Sequence, residues 1–171
     1  KFRKGDRGTA LEKLDNSEIK PSKSLADAVK GMLEGNNEFT LLDDQKVIYE
    51  KALQLAMNED SKKRVFIVRG GPGTGKSVLA VNLLSRLLSS GLNSRYVTKN
   101  AAPRAVYEAR LSGYLRKSRI SALFTGSGAF VDCLNNEYDA LIVDEAHRLN
   151  AKSGLYGNLG ENQVKEIIHS S

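Results

Sequence analysis

Gly70-Gly71-Pro72-Gly73-Thr74-Gly75-Lys76-Ser77 fills the pattern G-x-x-x-x-G-K-[ST] at every fixed position. Glycines in such a run free the backbone to turn its N–H groups inward, which makes a nest for an anion. Gly71, Gly73, Thr74 and Gly75 then offer main-chain contacts. Lys76 sets a positive charge at the β- and γ-phosphates, and the Ser77 hydroxyl is a ligand for Mg²⁺. A helix beginning at Lys76 adds its positive dipole end to the same anion. The chemistry implied is the binding of a nucleoside triphosphate with Mg²⁺.

A second acidic group completes this reading. Tyr138-Asp139-Ala140-Leu141-Ile142-Val143-Asp144-Glu145-Ala146-His147 is an apolar strand that ends in two adjacent acids. Alternation along a strand sends their side chains in different directions. Asp144 is therefore expected to hold the Mg²⁺ shell, directly or through water, and Glu145 to polarise an attacking water. Lys76, Asp144 and Glu145 form the expected catalytic set, with Ser77 and Asp144 on the metal. An adjacent glutamate argues for hydrolysis by water rather than transfer to a bound acceptor. His147 either senses the γ-phosphate or caps the turn. The guanine-reading pattern [NT]-K-x-D is absent, since Thr98-Lys99-Asn100-Ala101 lacks the acid, and this disfavours a GTPase.

These groups need elements to place them. Val65-Phe66-Ile67-Val68 reads as a strand covered on both faces, running straight into the glycine loop. Ala80, Leu83, Leu84, Leu87 and Leu88 recur at helical spacing, with Gly91 as a stop. Further strands are expected near 95–98, 121–124 and 140–144, with helices near 76–90 and 103–117. Such alternation implies a mainly parallel sheet with helices on both faces. Upstream, residues 1–22 are polar and read as a linker or the tail of a missing upstream region. A short helix is expected from Ser24 to Gly35 and another from Asp43 to Met57, within a helical segment 23–60. Residues 61–171 are left for the α/β lobe.

The chain has 171 residues, 40% hydrophobic content and one cysteine, Cys133. That suits a single buried domain in a reducing cytoplasm, and no apolar run is long enough for a membrane span. The net charge is +6. Arg86, Arg95, Lys99, Arg104, Arg110, Arg116, Lys117 and Arg119 face the single acid Glu108 over one stretch. This asymmetry fits either contact with a phosphate backbone or a solvated helix face. Of the aromatics nearby, Tyr96, Tyr107, Tyr114 and Phe130 fit core packing better than base stacking.

The glycine loop and the Asp144-Glu145-Ala146-His147 box, in this order, resemble the first RecA-like lobe of superfamily-one-type helicases. The likeness is closer to bacterial helicase-like P-loop ATPases related to the Schlafen helicase domain. It is carried further by Leu41-Leu42-Asp43-Asp44-Gln45, by Tyr96-Val97-Thr98-Lys99-Asn100-Ala101-Ala102-Pro103-Arg104, and by Gly160-Glu161-Asn162-Gln163. The resemblance implies a RecA-like three-layer P-loop fold that hydrolyses ATP. Gln45 would then read adenine, for which a carboxamide both donates and accepts. Thr98, Lys99, Asn100 and Arg104 would touch the backbone of single-stranded DNA or RNA. The box departs from the family in ending with histidine where many members have glutamine. The resemblance also implies a sensor strand and a second lobe with an arginine finger after Ser171. The sequence therefore reads as a segment of a longer protein, weakly active or inactive by itself. The function expected is that of a first motor lobe of a translocase or helicase-like protein. The alternative is an ATP-driven regulatory switch that does not move along nucleic acid.

Overall fold

The computed structural model describes residue 31 and residues 41–58, 62–112, 115–152, 160 and 162–171. The expected linker at 1–22 lies outside them, as does the helix from Ser24 to Gly35 except for Gly31. The elements run α1 (Asp43–Ala56), α2 (Lys76–Ser89), β1 (Ser94–Thr98), α3 (Ala101–Leu111), α4 (Lys117–Leu123), β2 (Phe124–Gly126), β3 (Ala140–Asp144) and α5 (Gln163–Ser170). Short 3₁₀ turns at Ser127–Phe130 and Ala146–Arg148 follow β2 and β3.

The three strands are parallel in the order β2-β1-β3. β1 is thus central, and its alternation divides the core in two. Tyr96 points into a cluster with Val81 and Leu84 of α2, Tyr107 and Leu111 of α3, Ile120 and Leu123 of α4, and Phe124. Val97 points the opposite way, into a cluster with Phe130, Tyr138 and Ile167 of α5. Helices therefore cover both faces of a small α/β sheet, an arrangement consistent with a RecA-like fold. The second cluster has a simple test. Phe130 is 2% exposed and meets Tyr138 edge-on at 5.9 Å. Phe130→Ala is expected to cost about 3–5 kcal/mol of stability, read as a lowered urea midpoint.

Two expectations need correction. Residues 65–69 form no strand. Val65, Phe66 and Ile67 are 62%, 41% and 69% exposed. β propensity does not make a strand without a neighbour to complete the ladder, and β3 pairs only with β1 among the described strands. The segment is tied down elsewhere: the Lys63 Nζ donates to the Ile168 and His169 carbonyls at 2.9 and 2.7 Å, and also to that of Ser171. A lysine suits the negative end of α5.

The third strand also shifts. Residues 121–123 close α4, and β2 is Phe124–Gly126. Ile120 and Leu123 stand three apart and both enter the first cluster, so helical spacing wins over a short apolar run that periodicity alone leaves ambiguous. The expected helix 103–117 correspondingly resolves into α3 and the start of α4.

Candidate active site

After β1 the chain leaves through α3 on one face of the sheet, and after β3 it leads to α5 on the other. Neighbouring parallel strands whose connections diverge in this way open a crevice beyond their carboxyl ends. The glycine loop and both acids sit at that crevice.

The loop turns through Gly73 (φ +73°) and Gly75 (φ +81°), backbone that side chains other than glycine rarely adopt. Gly75 has a second requirement. A Cβ there would lie 2.6 Å from Gln45 Nε2, so α1 approaches the loop closely at this point. Gln45 Nε2 donates to the Thr74 carbonyl at 3.0 Å, and its Oε1 accepts from the Leu42 N–H at 3.0 Å. The Gln45 amide thus braces the loop from the start of α1, and each end retains one unused hydrogen-bonding position. Within the loop the Thr74 hydroxyl donates to the Gly71 carbonyl at 2.9 Å. The Lys76 ammonium folds back to the Gly70 and Gly71 carbonyls at 2.9 and 2.6 Å.

Asp144 ends β3 in register with Thr98 of β1. Its carboxylate reaches the first turn of α2: Ser77 Oγ donates to Asp144 Oδ2 at 2.9 Å. The same oxygen accepts from the Tyr96 hydroxyl at 2.5 Å, and Oδ1 accepts from the Glu145 N–H at 3.0 Å. Tyr96 is 1% exposed. Burial, then the hydrogen bond to Asp144, pushes its phenol far above the usual range, so it is a permanent donor. The sequence offers core packing or base stacking for Tyr96, not a bond to Asp144. The missed signal was alternation, which puts Tyr96 two positions before Thr98 on the Asp144 face.

Glu145 takes φ 54°, ψ 42°, one of two non-glycine residues with positive φ among those described. This left-handed step turns the chain out of β3 and separates the directions of the two acids. The Glu145 carboxylate faces His147 Nε2 at 3.4 Å and Arg148 Nε at 3.7 Å, both on the solvent side.

The expected nucleic-acid residues divide. Thr98 is buried, leaving its backbone at the strand end. Lys99 is exposed and donates to Asn150 Oδ1 at 2.6 Å. Asn100 accepts from Arg148 at 3.5 Å. The Arg104 guanidinium lies over the end of β2, where a Cβ on Gly126 would meet Nη1 at 2.5 Å. Lys99, Asn100, Arg104 and Arg148 therefore gather around the carboxyl ends of β1, β2 and β3. Two other basic residues of the stretch are engaged elsewhere. Arg95 stacks over the Tyr138 ring at 4.4 Å, and Lys117 pairs with Glu108 at 2.9 Å. Asn150 is a further member, and Gln163, which the sequence offers only as part of a family stretch, gains a role. The Asn150 N–H donates to the buried Gln163 Oε1 at 2.8 Å, which anchors the loop after the acids to α5.

The described residues contain no group of three or more His, Cys, Asp or Glu side chains able to hold a metal. That does not oppose Mg²⁺, which keeps most of its water and needs only one or two protein oxygens beside a phosphate. Ser77 Oγ and Asp144 Oδ2 are such oxygens, adjacent to each other and to the loop. No described helix is long and apolar enough to cross a membrane.

A family model described as Schlafen group 3, DNA/RNA helicase domain, matches residues 63–171, well over half of the chain. The match spans the glycine loop, the acids and the strand ends, and it stops short of α1 and Gln45. No curated protein and no solved structure matches the chain.

Proposed function

The chain belongs to the family of the Schlafen group 3 DNA/RNA helicase domain, and from that premise we propose an Mg²⁺-dependent ATPase lobe of superfamily-one type that grips single-stranded nucleic acid. The observation that carries this reading is the 2.9 Å hydrogen bond from Ser77 to Asp144. It joins the helix after the glycine loop to the strand carrying the acids, as a shared cation site requires.

In this reading the N–H groups of Gly71 and of residues 73–77, at the start of α2, take the β- and γ-phosphates. Lys76 exchanges its loop carbonyls for phosphate oxygens, and Gln45 holds the loop while presenting its remaining amide positions to adenine. Ser77 and Asp144 would hold Mg²⁺, whose charge offsets that developing on the phosphates. Glu145 accepts the proton of the attacking water, and His147 lies beside it to register the γ-phosphate. The backbone of a single strand runs over the ends of β1 and β2, past Thr98, Lys99, Asn100 and Arg104. Lys99 then trades Asn150 for a phosphate.

The test is ATP hydrolysis by the protein with and without single-stranded DNA or RNA, alongside strand binding across a salt series. Stimulation by either strand is expected. Lys99→Ala should flatten the slope of log affinity against log salt by about 0.7, the share of one phosphate contact on a single strand. An ATPase indifferent to both strands, with Lys99→Ala unchanged, would instead identify a nucleotide-driven switch.

A further inference from the structure

The buried end of the Tyr96 side chain raises a question that packing does not answer. Tyr96 is 1% exposed, with its ring centroid 6.0 Å from that of Tyr107 and 5.6 Å from that of Phe124. A phenylalanine would fill this space without the cost of burying a hydroxyl. The hydroxyl donates to Asp144 Oδ2 at 2.5 Å, and it also meets the Tyr107 hydroxyl.

Ser77 donates to that same oxygen at 2.9 Å. The two donors differ in what else they can do. Ser77 stands on the first turn of α2, beside the loop, and a cation there would draw its oxygen away from Asp144. Tyr96 stands on the central strand, 1% exposed within the aromatic cluster. Its grip on the carboxylate therefore survives any change in front. Together with the Glu145 N–H on Oδ1, it fixes both oxygens of Asp144.

We propose that Tyr96 is a positioning residue for the cation site, clamping Asp144 from inside the core so that its carboxylate faces Ser77 whether or not Ser77 is bonded to it. This rests on the reading of Ser77 and Asp144 as the Mg²⁺ site. Partners that orient a metal-bound carboxylate commonly carry 10- to 100-fold in metal affinity. Phe124, in the same cluster, supplies only a ring.

The test separates the hydroxyl from the packing. Binding of a fluorescent ATP analogue is titrated with Mg²⁺, and separately measured in EDTA, for the wild type, Tyr96→Phe and Phe124→Leu. Tyr96→Phe is expected to raise the Mg²⁺ midpoint by about 10-fold, with metal-free binding and cooperative unfolding retained. Phe124→Leu, which loosens the same cluster, should lower the melting temperature and leave the Mg²⁺ midpoint in place. A midpoint unmoved by Tyr96→Phe, or moved equally by Phe124→Leu, overturns the clamp while the cation site stands. A wild type whose analogue binding ignores Mg²⁺ overturns both.

Discussion

Lys76→Ala is expected to weaken nucleotide binding roughly 10- to 100-fold and to remove measurable hydrolysis, with the fold intact. The size follows from what the ammonium does in each state. Without nucleotide it bonds two loop carbonyls, Gly70 and Gly71. Those oxygens are solvent-facing, so water replaces the ammonium at little cost, and stability should change by no more than about 0.5 kcal/mol. In the proposed nucleotide-bound state the same ammonium meets phosphate oxygens inside the loop. A charge-assisted hydrogen bond of that kind contributes about 1.5–3 kcal/mol. Calorimetric titration with an ATP analogue checks the affinity, and thermal melting checks the fold. Lys76→Arg should not rescue binding, because a planar guanidinium is too broad for a cradle shaped around a point charge. Unchanged affinity in Lys76→Ala would show that the loop does not hold a polyphosphate.

The residues behind that prediction were legible in the sequence because the chemistry leaves little freedom in spacing. A backbone cradle needs glycines at particular turns, and Gly73 and Gly75 do carry positive φ. Asp144 was assigned to a cation beside Ser77 from sequence, and the two side chains are hydrogen-bonded across 67 residues of chain. Strand β3 and helices α1 and α2 fell close to their expected bounds, since each has a long or strongly patterned apolar run. What failed depended on partners. Val65 to Val68 have every local mark of a strand, yet pairing is a property of neighbours and not of the segment. Ser121 to Leu123 joined a helix because Ile120 and Leu123 share one cluster, a long-range fact.

The site shows the same division. Types and spacing pointed to Lys76, Ser77, Asp144 and Glu145. They did not point to Asn150, Gln163 or Arg148, which matter only once the loop after β3 comes beside the end of β1. Lys99 bonds Asn150, and Arg148 bonds Asn100. Two polar bridges thus join the strand end proposed to touch nucleic acid to the loop that starts at Glu145. A phosphate that captures Lys99 breaks one bridge and frees Asn150. The other bridge runs on to the residue proposed to activate water, because Arg148 lies 3.7 Å from the Glu145 carboxylate.

Glu145→Gln is expected to lower hydrolysis by about 10²- to 10⁴-fold while leaving nucleotide affinity within roughly 3-fold. The substitution keeps the shape of the side chain and removes its ability to take a proton. Its contacts with His147 and Arg148, at 3.4 and 3.7 Å, face solvent, and exposed polar pairs of this kind contribute at most about 1 kcal/mol. Loss of turnover therefore has to come from the chemistry and not from the fold. The backbone gives an independent check. Glu145 holds φ 54°, a conformation that costs a non-glycine residue roughly 1–2 kcal/mol. Glycine would relieve that strain, whereas in most positions it destabilises by about 0.5–1 kcal/mol. Glu145→Gly should consequently melt no lower than the wild type and be as inactive as Glu145→Gln. A glutamate kept at a strained position, where glycine would be tolerated, fits a carboxylate retained for its reaction. Steady-state hydrolysis, analogue binding and melting curves for the two variants decide it: full turnover in Glu145→Gln would move the general base elsewhere in the crevice.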